Sequence, residues 1–204
     1  MSNVLEKYNV SRETIERLKA YEKLVLEWNN KFNLISKSSI PYIWNRHIED
    51  SAQLCKFINS SDELLYDFGS GAGFPAIVIA IIGKEMFPNL KISLVESIGK
   101  KATFLNEVNK ELGLNMNIYN DRIENLKLPC ADIISSRALA SLDKLLEYSK
   151  PFCKKNTRLI FPKGEKWQEE IFVAEKKWNF EYITEQSLTS DTGCILQIKN
   201  IRRK

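Results

Sequence analysis

A single histidine, four scattered cysteines and a near balance of charge set the first bounds on this chain of 204 residues. His47 is the one imidazole, and Cys55, Cys130, Cys153 and Cys194 form no Cys-x-x-Cys pair, so a structural zinc site is not expected and no metal is assigned. The cysteines read instead as reduced, mostly buried thiols of a cytosolic protein. No apolar run approaches the ~20 residues needed to span a bilayer, and no basic segment followed by an apolar core opens the chain. A cytoplasmic protein with no membrane partner is therefore expected. Internal repeats and low-complexity tracts are absent too, which removes solenoids and linker-rich architectures. Lys and Arg number 30 against 26 Asp and Glu, and the resulting +4 permits phosphate contact without being diagnostic of nucleic-acid binding.

What the chain does have is an ordinary globular composition, 44% hydrophobic and 27% charged. Its length suits one well-buried α/β domain with an appended element. The boundary falls near residue 60: 1–60 reads as a helical extension and 61–204 as the principal domain. In the extension Ile15, Leu18, Tyr21, Val25 and Trp28 recur at helical spacing along one face. Pro41 suits the first turn of a further helix with Trp44, Ile48 and Leu54 inward and Arg46, Glu49 and Lys56 wet.

Beyond Asp62 the period changes. Leu64, Leu65, Tyr66 and Phe68 form a short apolar run of the kind buried on both faces of a parallel sheet. A helix is predicted over Ala76 to Ile82, a second strand over Lys91 to Glu96, and a helix over Lys100 to Leu112 burying Phe104, Leu105, Val108 and Leu112. Further strands are predicted at Met116 to Tyr119, Asp132 to Ser135, Arg158 to Phe161, Tyr182 to Glu185 and Cys194 to Lys199. Alternation of strand and helix predicts a mostly parallel, Rossmann-like sheet covered on both faces, with the last two strands forming an antiparallel hairpin.

The segment DFGSGAGFP, Asp67 to Pro75, lies where the first strand hands over to the first helix, the place where open α/β sheets bind ligands. Gly69, Gly71 and Gly73 can adopt positive φ and leave room for a ligand against the backbone. Their GxGxG spacing departs from the GxGxxG that cradles a dinucleotide pyrophosphate. Asp67 would suit a ligand carrying an ammonium, and Glu96, ending the second strand, stands where a carboxylate takes the hydroxyls of an adenosine ribose. Strand, glycine turn, helix, strand and acid in that order point to a nucleoside cofactor such as S-adenosylmethionine.

The chain closely resembles the bacterial small-subunit ribosomal RNA guanine-N7 methyltransferases, the glucose-inhibited division protein B family. The likeness runs through WNNKFNLIS (28–36), RHIEDS (46–51), DFGSGAGFP, LVESIGKKATFL (94–105), DRIENL (121–126), SSRALASL (135–142) and FPKG (161–164). Where the family usually reads GFPG, this chain has Ala76 after Pro75, a residue that would be strained only if its φ had to be positive. The resemblance implies a class I methyltransferase fold and S-adenosylmethionine as cofactor. It also implies a cofactor site containing Gly69, Phe74, Ile123, Glu124 and Arg137, and 16S ribosomal RNA or the small subunit as partner. The protein is expected to act as a monomer.

Guanine N7 carries a lone pair and no proton, so no catalytic residue is required; alignment and desolvation are the protein's work. Arg137, Lys163 and His47 are candidate positioning residues. Arg137 could instead pair with a structural carboxylate, and His47 suits packing or substrate contact better than proton transfer. Lys163 reads equally as a contact to RNA and as a solvated rim lysine. Lys31, Lys37, Arg46, Lys100, Lys101 and the tail Arg202, Arg203 and Lys204 could ring the mouth with positive charge. Other readings are a methyltransferase for another RNA position or a small molecule, a noncatalytic RNA-binding assembly factor, and, against the glycine spacing, a nicotinamide oxidoreductase.

Overall fold

Strand β1 (Leu64–Phe68) forms at the apolar run ahead of the glycine cluster, and its residues from Leu65 onward are buried. A computed structural model describes the chain at residue 5 and residues 7–204; the part of the expected helical extension made of residues 1–4 and 6 lies outside the described residues. β1 pairs in parallel with β2 (Lys91–Val95), Leu64 opposite Lys91 through Phe68 opposite Val95, and on its other side with β4 (Ala131–Ser135). Successive residues of a strand face opposite sides of the sheet. Leu65 thus joins the core on one face while Tyr66 and Phe68 join the other, and Ile133 and Ile134 divide in the same way. Burial on both faces is why these strands are continuous apolar runs rather than alternating ones.

β3 (Asn117–Tyr119), β5 (Cys153–Lys163), β6 (Trp178–Gln186) and β7 (Cys194–Arg203) complete a seven-stranded sheet in the order β3-β2-β1-β4-β5-β7-β6. β7 runs antiparallel to both β5 and β6, the hairpin expected from sequence. The chain moves outward from β1 to β3 and then returns to β4. This reversal opens a crevice at the carboxyl ends of β1 and β4. Helices α1 (Arg12–Asn29), α2 (Ala76–Met86) and α3 (Gly99–Glu111) share one face, and α4 (Leu142–Ser149) and α5 (Trp167–Glu175) the other. Most elements run longer than their apolar signal, as β5 does by five residues before Arg158 and two after Phe161. Leu112, expected inside, is half-buried just past the end of α3.

The extension shares its core with the sheet domain: Leu18, Tyr21 and Ile48 belong to the same apolar cluster as Ile77, Phe104 and Ile133. The Ser11 hydroxyl caps α1 by accepting from the Thr14 amide at 3.1 Å, and Glu85 of α2 accepts from both hydroxyls. Residues 37–57 form consecutive short turns, a 3-10 turn holding Pro41, a π-type turn over Trp44–Glu49, then α and 3-10 turns. The wide π turn alters which side chains face inward. Ile48 and Leu54 are buried as expected and Trp44 is half-buried, but Glu49, expected wet, is buried and takes a hydrogen bond from Asn45. The cysteines also need correcting: Cys55 and Cys194 are buried, whereas Cys153 is half-buried and Cys130, in the loop before β4, is exposed.

Candidate functional site

The glycine turn follows β1 directly, with Gly69 at φ +68°, Gly71 at +58° and Gly73 at +93°. A Cβ on Gly73 would lie 2.2 Å from the Ile77 Cδ1, so packing of the turn onto α2 requires glycine there. At Gly69 a Cβ would meet the tip of Leu139 at 2.5 Å instead. Ala76 begins α2 with ordinary helical geometry and complete burial, so its replacement of the family's glycine strains nothing.

The turn is tied down from both sides. The Gly69 amide donates to the Val95 carbonyl at 2.9 Å, and the Tyr21 hydroxyl reaches from α1 to the Ala72 carbonyl at 2.6 Å. Glu96 accepts from the Gly71 amide through Oε2 and from the Ile98 amide through Oε1, both at 2.8 Å. Its carboxylate therefore clamps turn to strand end while keeping lone pairs to accept further bonds. Asp67 is fully buried; its Oδ1 accepts from the Ser135 hydroxyl at 2.7 Å and its Oδ2 has no partner. Burial pushes the Asp67 carboxyl up to about 7, against the pull of the Ser135 hydrogen bond and the Arg137 charge.

Two hollows flank the segment Ser136–Ser141 after β4. The smaller, 150 Å³, is lined by Gly69, Val95, Ser97, Ile123, Glu124 and Leu139 among others. It lies below the ~300 Å³ at which ligand pockets begin, because Leu139, 38% exposed, leans over Gly69. Of the expected cofactor residues it thus brings together Gly69, Ile123 and Glu124, while Asp67, Gly71, Gly73, Phe74 and Glu96 do not line it. The larger hollow, 660 Å³, is walled by Arg46, Asp50, Arg137, Lys163, Glu170 and the loop at 187–193.

Arg137, expected to complete the cofactor pocket, lines this larger hollow, whereas Ile123 and Glu124 line the smaller one. Its guanidinium donates to Asp50 at 3.1 Å and to the Arg46 carbonyl at 3.3 Å, and lies over the Phe74 ring. Asp50 in turn accepts from Thr189 at 2.7 Å and Gln53 at 2.9 Å, so one carboxylate joins Arg137 to the far wall. His47 stacks on Phe74 at 4.9 Å and sets Nδ1 2.8 Å from the Arg137 Nη2. Burial, with Arg137 and Arg46 nearby, lowers the His47 pKa to about 4. The neutral ring must accept at Nδ1, leaving a buried Nε2–H without a partner. Packing and positioning fit this histidine; a proton relay at neutral pH does not.

Lys163 lines the larger hollow with its ammonium paired to a carboxylate. Its ammonium is buried and bonded to Glu170 at 2.7 Å, a residue that also takes the Leu142 amide at 2.8 Å. Only part of the expected basic rim is at the mouth. Arg46 lines the larger hollow, and Lys100 and Lys101 begin α3 at the ligand-bearing edge. Arg202 and Arg203 end β7, whose antiparallel pairing with β5 carries the tail to the opposite sheet edge. Sequence reasoning missed Asp50, Leu139, Glu170 and the 187–193 loop. Asp50 and Leu139 lie within the motifs RHIEDS and SSRALASL, and the loop carries the Ser-Leu-Thr-Ser-Asp-Thr-Gly composition typical of a turn, whereas Glu170 left no local signal.

A positively charged adenosine derivative fits this turn better than a dinucleotide does, since the orphaned carboxylate oxygen of Asp67 would disfavour a pyrophosphate, whereas Glu96 suits the ribose of either. Comparison with known proteins agrees. Residues 14–198 match the family described as rRNA small subunit methyltransferase G. A ribosomal RNA small subunit methyltransferase G of Cereibacter sphaeroides is 43% identical over 197 residues, covering 97% of this chain and 96% of its own. One from Bartonella tribocorum is 43% identical over 196 residues, covering 95% and 91%. Among solved structures, a SAM dependent methyltransferase of Aquifex aeolicus aligns with TM-score 0.60 at 16% identity, over 78% of this chain and 94% of that one. An O-methyltransferase of Bacillus cereus in complex with SAH aligns with TM-score 0.58 at 13% identity, over 89% and 91%. At these identities the two structures speak for the methyltransferase fold alone.

Proposed function

The chain belongs to the rRNA small subunit methyltransferase G family, and from that premise we propose that it methylates N7 of a guanine in the 16S ribosomal RNA of the small subunit, using S-adenosylmethionine. The observation that carries the reading is the pair of hollows divided by the segment Ser136–Ser141, one against the glycine turn and one large enough for a nucleotide. S-adenosylmethionine, when bound, supplies an electrophilic methyl on a sulfonium. Gly69, Ile123 and Glu124 hold its adenosine, Leu139 moving aside to admit it. Asp67 and Glu96 supply negative charge behind the turn, and Gly71, Gly73 and Phe74 give the turn its shape.

Guanine N7 enters with its lone pair free, so the protein has no proton to remove. The larger hollow is consistent with that: His47 is neutral with Nδ1 engaged, and Lys163 is held by Glu170. Its residues act by orientation and by excluding water. Arg137, fixed by Asp50 and the Arg46 carbonyl, is the positioning residue between the two hollows. The protein is read as acting as a monomer, and a ribosomal substrate is consistent with action in the cytoplasm.

Nucleotide-resolution mapping of N7-methylguanine in 16S RNA, with and without the protein, tests the reading. One mark should vanish in its absence and return when purified protein and S-adenosylmethionine are added to undermethylated subunits. An unchanged methylation map would refute it, and binding to subunits with no methyl transfer would leave a noncatalytic assembly factor.

A further inference from the structure

Basic residues expected at the mouth lie instead at the opposite sheet edge, where they meet others. Here a cleft of 220 Å³ is lined by Lys150, Lys154, Lys155, Lys199, Asn200 and Arg202, with no carboxylate in its wall. We propose that this edge is a second docking surface for the substrate RNA, gripping its phosphodiester backbone far from the methylated base. The proposal rests on the assignment of ribosomal RNA as substrate.

Two irregularities build the surface. Between Ala131 and Ile133 of β4 the partner residues on β5 advance from Cys153 to Arg158, so β5 carries extra residues and presents Lys154, Lys155 and Asn156 consecutively to solvent. On β7, Asn200 adopts φ +56° beside a register shift in β6 between Asn179 and Glu181. That breaks the in-out alternation, exposing Lys199 and Asn200 together before Ile201 turns in and Arg202 out. Bulges re-aim side chains in this way. Both converge on one cleft, whereas regular strands would have sent alternate side chains into the core.

The charge is available for a ligand. Lys154 pairs with Asp132 at 2.5 Å, and Lys150 donates to the Ile201 carbonyl at 2.9 Å. Among the described residues Lys155, Lys199 and Arg202 make no ion pair, although Glu181 is the cross-strand neighbour of Lys199. Flexible ammonium groups around an amide suit phosphate oxygens and read no base, so this surface would add affinity without sequence preference. It also accounts for where a chain of net charge +4 keeps enough local positive charge to hold RNA.

The test compares wild-type protein with the triple variant Lys155→Gln/Lys199→Gln/Arg202→Gln, measuring binding to undermethylated small subunits across a potassium chloride series. Three lost phosphate contacts should lower the slope of log affinity against log salt by about 2 to 3 and weaken binding about tenfold or more. Thermal stabilisation by S-adenosylhomocysteine should not change, which also shows that the variant is folded. A control, Lys19→Gln/Lys23→Gln/Lys110→Gln, removes equal charge elsewhere and should bind as wild type. Unchanged slope and affinity in the first variant, or equal losses in both, would overturn the proposal. So would a loss seen with assembled subunits but not with protein-free 16S RNA, which would make the partner a ribosomal protein. Wild-type protein that binds subunits but transfers no methyl would sink the enzymatic reading alone.

Discussion

Asp67 combines complete burial, one hydrogen bond and one unpartnered oxygen, and its behaviour with pH follows from that. Its carboxyl is raised from 3.8 to about 7, so between those values the folded protein holds a proton that the unfolded chain releases. Its contribution to stability is thus full below 3.8 and lost as pH rises through 7. A ligand ammonium beside it, which S-adenosylhomocysteine carries although it lacks the sulfonium, reverses the preference, because it favours the ionised form. Affinity for S-adenosylhomocysteine should rise with pH, by at most about tenfold per unit below 7, and level off above. Calorimetric titration from about pH 6 to 8 checks this, and Asp67→Asn should remove the dependence along with much of the affinity. A flat wild-type profile would mean that Asp67 does not answer to the ligand's charge.

At the scale of the element, the glycine turn separates two demands that sequence alone merges. Gly73 is needed for packing: Gly73→Ala would drive a methyl into Ile77 and Leu105 at φ +93°. The expected cost is about 2 kcal/mol or more, read as a lowered melting temperature. Gly69 is needed for access. Its Cβ would meet only the flexible, half-exposed end of Leu139, so Gly69→Ala should cost about 1 to 2 kcal/mol of backbone strain and stay folded. Binding of S-adenosylhomocysteine should nonetheless be lost, since the new methyl points into the small cleft. The turn was legible because strand, glycines and acid are neighbours in sequence, and their physical reasons are local. Lys163 was not, because its partner Glu170 sits on the following helix and no local pattern says which lysine a carboxylate will claim. Arg137 was half legible: a structural carboxylate was an open alternative, and Asp50 proves to be that partner, from a segment whose π turn carries no sequence signature.

For the whole molecule, periodicity gave the sheet and its covering, since two-faced burial writes itself as apolar runs and the hairpin as a missing helix. The destination of the tail was beyond reach, because it depends on the direction of β7 against β5. The extension and the sheet domain share one apolar cluster, so denaturation should be a single transition seen alike by fluorescence and circular dichroism. Tyr21→Phe removes the hydroxyl that α1 donates to Ala72 and strands a buried carbonyl, at about 1 to 3 kcal/mol. The transition should shift to lower denaturant without splitting; two separate transitions would show that the extension folds as its own unit.

Strand β5 runs from Cys153, beside the basic cleft, to Lys163, on the wall of the larger hollow. Because the extra residues opposite Ala131–Ile133 do not lengthen it, at about 3.3 Å per paired residue its ends stand roughly 20 to 25 Å apart. It therefore behaves as the bar of a calliper whose jaws are a charged notch and a chemical one. A free nucleotide can touch one jaw only, and its kinetics would describe half an instrument. An RNA that reaches both the proposed docking surface and the larger hollow must span that distance.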